Sequence, residues 1–345
     1  MIHHERPRSP SAALRATLPG LLIVAAIAAA AIVLDRLPGL ASSGIGALTV
    51  AIALGMLAAH LVPAAVHARA GGGAAFAQRT LLRAGVALYG LRLTWHDVAA
   101  CGVRGFAADV TMIALVLATA WWVGTRWLKL DRDTALLVGM GSAVCGAAAV
   151  MATEPVLRAP PHKVAIAVAT VTVFGSCAVF LYPALYPLLG FDPQQYGMFV
   201  GSTVHEVAQV VAAGKAVSAA AGDEAVIVKL MRVALLAPLL VLLARRCPDG
   251  AATQGRRTPP VPGFVLGFVA LVVVHSLGLL PAGLEAALLQ LDALLLALAM
   301  AALGWSARLS MLRAAGPRPL LLGAILFAVL GVGGYAVNRA LALLT

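Results

Sequence analysis

Charge is scarce in this chain. Asp, Glu, Lys and Arg together make up 11% of its 345 residues, where a soluble domain carries roughly 25%. So little charge cannot cover a surface in water. With 61% of residues hydrophobic, most of the chain must face something other than water. Cysteine is scarce too: Cys101, Cys145, Cys177 and Cys247 are widely spaced and form no CxxC pair, which argues against a disulfide framework and a zinc site. Aromatic residues amount to 6% and do not interleave with a basic stripe, so the net charge of +11 does not point to a nucleic-acid partner. No Gly-Lys-Ser/Thr sequence occurs, which removes the nucleotide phosphate loop and argues against ATP-driven chemistry.

What is present is long charge-free sequence. Such stretches run over 16–34, 37–68, 134–153, 164–191, 258–284 and 319–338, each near or above the roughly 18–20 residues that cross a bilayer as a helix. The expected fold is an all-α, polytopic membrane protein with about 9 to 11 membrane segments. Residues 1–15, with Arg6, Arg8 and Arg15, form a cytoplasmic N-terminal tail, and 16–345 a single transmembrane transporter domain. The first apolar run exceeds the core of a cleavable signal and is taken as a spanning helix. A second helix is expected over 45–62, a flexible loop at Gly71-Gly72-Gly73, and a short, incomplete span over 81–93. Further segments centre near residues 115, 143, 175, 205, 235, 270, 295 and 328. Arginines gather between segments: Arg69 and Arg79; Arg245, Arg246, Arg256 and Arg257; Arg308, Arg313 and Arg318. Basic residues in short loops hold those loops on the cytoplasmic side, so the net charge is read as topological. A multi-pass membrane protein follows.

Two echoes suggest internal repetition. Arg92-Leu93-Thr94 is matched by Arg308-Leu309-Ser310, and the ten residues from Gly141 share five identities with the ten from Gly201. Transporters are often built from repeated units.

Polar groups inside a bilayer cost free energy, so those that persist there are candidates for function. The segment 197–214 carries Ser202, Thr203, His205, Glu206 and Gln209 in an otherwise apolar run. On one continuous helix, residues 202, 205, 206 and 209 share a face. That face either holds a substrate or coupling-proton site or only fixes helix packing. His205-Glu206 opens a zinc-peptidase pattern, but Gln209 stands where the second histidine belongs, and that reading is dropped. The segment 137–153 surrounds Ser142 and Cys145 with Gly139, Gly141 and Gly146. It fits either close helix packing or a discontinuous helix whose half-helix N-terminus favours an anionic group. Lys229 and Arg232 lie one turn apart; snorkelling to an interface is favoured over facing inward to balance Glu206 or an anion. Asp109, Asp292 and His275 are single polar residues in apolar runs, read as structural or interfacial.

The runs LLRAGVALYGLRLTWHDV, LLVGMGSAVCGAAAV, GSTVHEVAQVVAAG and VKLMRVALLAP resemble, in order and spacing, the YeiH-type family of putative sulfate exporters, from about residue 45 onward. That family is similar to the cation/proton antiporter and anion transporter group. The resemblance implies inverted repeats with two broken or re-entrant helices. It implies a substrate site at Gly141, Ser142, Cys145, Gly146, Ser202, Thr203 and Gln209, proton coupling by His205 and Glu206, and charge balance by Lys229 and Arg232. The expected function is export of a small anion, sulfate or a small organosulfonate, by a proton-coupled secondary transporter. The alternatives are a cation/proton antiporter and a membrane-embedded protein that transports nothing. In CGAAAV an alanine stands where relatives often carry serine, which removes one anion-binding hydroxyl. No enzymatic activity, cofactor or metal is expected. The expected partners are a small inorganic or organic anion and the lipid bilayer, with a homodimer left open.

Overall fold

The computed structural model describes residues 10–36, 46–246, 263–308 and 315–343. The start of the N-terminal tail, Cys247, and the loops with Arg256, Arg257 and Arg313 lie outside the described residues, as does Leu309-Ser310 of the first echo. Every regular element among the described residues is helical. In chain order they are α1 (Pro10–Asp35), α2 (Ala47–Leu61), α3 (Ala64–Phe76), α4 (Leu82–Tyr89), α5 (Trp95–Trp122), α6 (Arg132–Ala143), α7 (Ala147–Leu157) and α8 (Pro161–Leu189). Then follow α9 (Pro193–Thr203), α10 (Val207–Lys215), α11 (Ala219–Ala234), α12 (Leu236–Arg246), α13 (Gly263–Ser276), α14 (Ala282–Ser306), α15 (Pro317–Ala328) and α16 (Gly334–Leu343).

Among the described residues, six helical stretches are long and apolar enough to cross a membrane: Thr17–Asp35, Trp95–Trp127, Pro161–Leu189, Ala219–Arg245, Ala282–Ser306 and Pro317–Ala342. Ala47–Leu61, Ala147–Leu157 and Gly263–Ser276 are shorter apolar helices. The chain is an all-α, polytopic membrane protein. Many large apolar side chains point outward, among them Leu22, Trp122, Leu188, Leu266 and Val332, as a hydrocarbon solvent allows.

The chain forms two compact units, Met1–Gly85 with Ala286–Arg308, and Val86–Glu285 with Leu309–Thr345. In the first, small residues set the packing. The flexible loop expected at Gly71-Gly72-Gly73 is instead inside α3. A methyl group added at Gly73 collides with the Thr17 carbonyl and the Leu21 amide of α1, and one at Gly20 with the Ala70 carbonyl. Loop chemistry was the wrong inference because in a membrane, glycine more often lets two backbones approach. The same device joins α2 to α14, where Gly304 faces the Ile52 carbonyl and Gly55 the Ala301 carbonyl. His67 stacks on Trp305 with ring centroids 5.1 Å apart. The short span expected over 81–93 is the end of a longer helical run that begins at Ala64 and passes through a π-turn at Ala77–Leu81.

In the second unit, helix starts are marked by side chains that satisfy the free amides of a first turn. Thr94 and Asp97 form a capping box at α5, and Asp192 and Gln195 form another at α9. Asp131 accepts from the Thr134 amide at the start of α6 (3.1 Å). Lys163 of α8 then binds Asp131 at 2.6 Å and Asp133 at 2.9 Å. Tyr182, Phe199 and Phe191 build an aromatic core with Tyr196, Val200 and Val204.

Candidate functional site

Two helices of the second unit are broken in the middle. The first break separates α6 from α7 at Val144, Cys145 and Gly146. Gly146 takes φ 67°, ψ −135°, a region that a side chain at Cβ makes costly. A methyl there also collides with the Glu206 side chain. The second break separates α9 from α10 at Val204, His205 and Glu206, where Val204 and Glu206 are extended (ψ 147° and 150°). No glycine makes this break. Ser202 and Thr203 bond back to the Phe199 carbonyl at 3.2 and 2.5 Å, competing with the helical ladder. Gln209 Oε1 then accepts from the Glu206 amide at 3.1 Å and starts the next helix.

The breaks fall at equivalent places in the sequence echo: Val144-Cys145-Gly146 in the first copy, Val204-His205-Glu206 in the second. One side chain joins them. Lys229 Nζ donates to the Val144 carbonyl at 2.6 Å and to the Val204 carbonyl at 2.5 Å. Each carbonyl lies just past the C-terminus of a half-helix, where the backbone dipoles leave partial negative charge. A buried ammonium meets both. On the other side of the breaks, Glu206 Oε1 accepts from the Ala147 amide, the first residue of α7, at 3.4 Å. The carboxylate thus lies at the N-terminal ends of α7 and α10, where negative charge is favoured.

This geometry corrects two expectations. Residues 202, 205, 206 and 209 do not share one helical face, because the helix is interrupted between Thr203 and Val207. His205 is buried, whereas Glu206 is partly exposed beside Gly146. Lys229 and Arg232 do not snorkel. Both are 0% exposed, because each has a buried polar partner that makes burial tolerable. Arg232 Nε binds Asp109 Oδ1 at 2.8 Å, and Asp109 is itself 0% exposed.

The remaining candidates cluster around the breaks. Gly141 packs on Val150 and Val171, with no room for a side chain. Ser142 and Cys145 are buried, and Ser142 Oγ has no hydrogen-bond partner among the described residues. Ser202 Oγ accepts from Asn338 of α16 at 3.0 Å. Gln209 lies against Gly175 of α8, where any Cβ collides with its amide, and its Nε2 has no hydrogen-bond partner among the described residues. Thr203 touches Gly334 of α16. Three contributors were missed from sequence: Asp109 as the partner of Arg232, Asn338, and Tyr182, which lies beside Thr203 and within electrostatic range of Arg232. Asp109 stands out in the sequence as a single polar residue in an apolar run. Asn338 closes a charge-free stretch, and nothing in the sequence marks Tyr182. His275 lies elsewhere, 3.2 Å from Glu285, and Asp292 is buried in the other unit.

The family described as Conserved hypothetical protein 698 matches residues 19–323. The chain is 47% identical over 340 residues to a UPF0324 membrane protein of Pseudomonas aeruginosa, covering 96% of each. It is 45% identical over 325 residues to the UPF0324 inner membrane protein YeiH of Escherichia coli K12, covering 93% of each. It is also 45% identical over 331 residues to a UPF0324 membrane protein of Bordetella pertussis, covering 94% of this chain and 95% of the relative. No solved structure matches. With membrane-length apolar helices, two broken helices pinned by one lysine, and this similarity along nearly the whole chain, the protein belongs to the YeiH (UPF0324) family of multi-pass inner membrane proteins.

Proposed function

We propose that this protein is a secondary transporter that exports a small anion, sulfate or a small organosulfonate, across the inner membrane by alternating access. The observation that carries the reading is the meeting of two broken helices at Lys229, with Glu206 at the opposite helix ends. Discontinuous helices are costly in a bilayer and are tolerated where they line a site. Helix ends inside the protein supply fixed partial charges around such a site at no further cost in reorganisation. Glu206 and His205 are the groups assigned to proton coupling, and Gly141, Ser142, Cys145, Gly146, Ser202, Thr203 and Gln209 form the walls. No enzymatic role is proposed.

A cation/proton antiporter is the second reading, favoured by the partly exposed Glu206 carboxylate beside a pair of helix ends. A thermal-shift screen of the purified protein separates the two. Sulfate, sulfite, taurine and other sulfonates are titrated against sodium and potassium chloride at matched ionic strength. A ligand that prefers the folded state raises its apparent stability by mass action. Selective stabilisation by a sulfur oxyanion supports export of that anion. Stabilisation that follows the cation, and not the anion, transfers the proposal to the antiporter.

A further inference from the structure

Arg232 has more donors than Asp109 uses. Its guanidinium is 0% exposed, Nε is occupied by Asp109, and Nη1 and Nη2 have no hydrogen-bond partner among the described residues. Buried donors without partners are costly. The groups near it share the condition. Both ring nitrogens of buried His205 are unpartnered, and Arg232 lies within electrostatic range of that ring. Tyr182 Oη lies beside Thr203 without a hydrogen bond of good geometry, and also within range of Arg232. Lys229 is different: its ammonium is already committed to two carbonyls.

Resting on the transport reading above, we propose that Arg232 is the direct anion ligand. Its Nη1 and Nη2 take two oxygens of one oxyanion, Tyr182 and His205 supply further contacts, and Lys229 holds the two helix breaks together without touching the substrate. Two parallel N–H donors in a planar fork match a sulfonate or carboxylate edge. Asp109, on Nε, fixes the plane of the fork and cancels its charge when no anion is bound.

The charge inventory narrows the ligand class. Arg232 is already paired with buried Asp109 at 2.8 Å, so the guanidinium presents no uncancelled charge beyond Nη1 and Nη2. An incoming anion therefore adds its full charge to a buried site. The cost of an uncompensated charge in a low-dielectric interior grows with the square of that charge. The site therefore takes singly charged oxyanions, with an alkylsulfonate as the fitting example, in preference to doubly charged sulfate.

The test uses the full chain in detergent, with methanesulfonate and sodium sulfate as probes, read by calorimetric titration. Wild-type protein is expected to bind methanesulfonate more tightly than sulfate. Arg232→Lys keeps the charge opposite Asp109 and loses the fork, and should weaken methanesulfonate binding about tenfold or more. Tyr182→Phe keeps the aromatic packing and should weaken it severalfold, which serves if the lysine variant does not fold. Sulfate binding more tightly than methanesulfonate overturns the preference for single charge. Unchanged methanesulfonate affinity in the folded variants overturns the subsite. Anion flux in proteoliposomes that is indifferent to both substitutions removes the subsite and leaves the transport reading standing. A wild type that neither binds nor carries an anion removes both.

Discussion

At the scale of single residues, the informative charges are those that a bilayer ought to exclude and this protein keeps. Arg232 and Asp109 are paired across 123 positions of sequence at 2.8 Å, both fully buried. Breaking such a pair from one side strands a charge, which typically costs about 3–5 kcal/mol, whereas removing both partners costs far less. Asp109→Asn should therefore lower the thermal unfolding temperature sharply, and Asp109→Asn with Arg232→Gln should recover much of the loss. Equal stability of Asp109→Asn and wild type would contradict the pairing. Both residues stand out in the sequence as polar groups in apolar runs, yet their partnership was not legible. A helix apolar all round has no moment to show which side of it faces which neighbour, and an arginine stem long enough to snorkel fits either outcome.

At the scale of elements, the positions of the apolar segments were legible, because length without charge is a strong signal in a membrane protein. The places where helices stop were less so. At the first break Gly146 marks the spot. At the second, Val204, His205 and Glu206 carry no breaker residue, and the interruption depends on Lys229 and the Gln209 bond, both tertiary or capping effects. The echo between residues 141–150 and 201–210 linked the two, alongside the resemblance that implies a pair of broken helices. Glycines misled in the other direction, since the Gly71–Gly73 run packs a helix. Gly73→Ala should force α3 from α1 and destabilise the protein. Gly71→Ala, where a methyl meets nothing within 4 Å, should be neutral or stabilising by up to about 1 kcal/mol through helix propensity. Unfolding curves of the two variants check this, and a reversed order would refute the packing. A pH effect belongs to the α6–α8 link. Burial raises the Asp131 carboxyl, but its bonds to Lys163 and Thr134 outweigh this and hold it below the usual carboxylate range. Its contribution is therefore present above the unfolded-state value and fades as pH falls through the lowered folded one. Asp131→Asn should flatten the acid limb of the stability profile in that window. An unchanged limb would show that the carboxylate contributes nothing there, and its half-exposed position keeps the expected effect small.

At the scale of the whole molecule, the broken helices, Lys229, Arg232 and their partners all belong to one of the two compact units. The family match extends over both units, from residue 19 to 323. Membrane character was readable from composition alone. A pair of interrupted helices held by one ammonium was not, because it depends on carbonyls that no residue type encodes. The scarce charge with which the chain is built thus separates into two kinds: basic residues distributed between segments, and a buried handful around the breaks. The proposed transport depends on the second kind.

The measurement that tests this most directly is anion flux in proteoliposomes under an imposed pH gradient, comparing wild type with Glu206→Gln. Glutamine keeps an oxygen for the Ala147 amide and cannot lose a proton, so folding should persist. The account predicts pH-gradient-driven anion movement in wild type, and in the variant a rate that is strongly reduced or no longer follows the gradient. Flux of the same size and the same pH dependence in both proteins would contradict it.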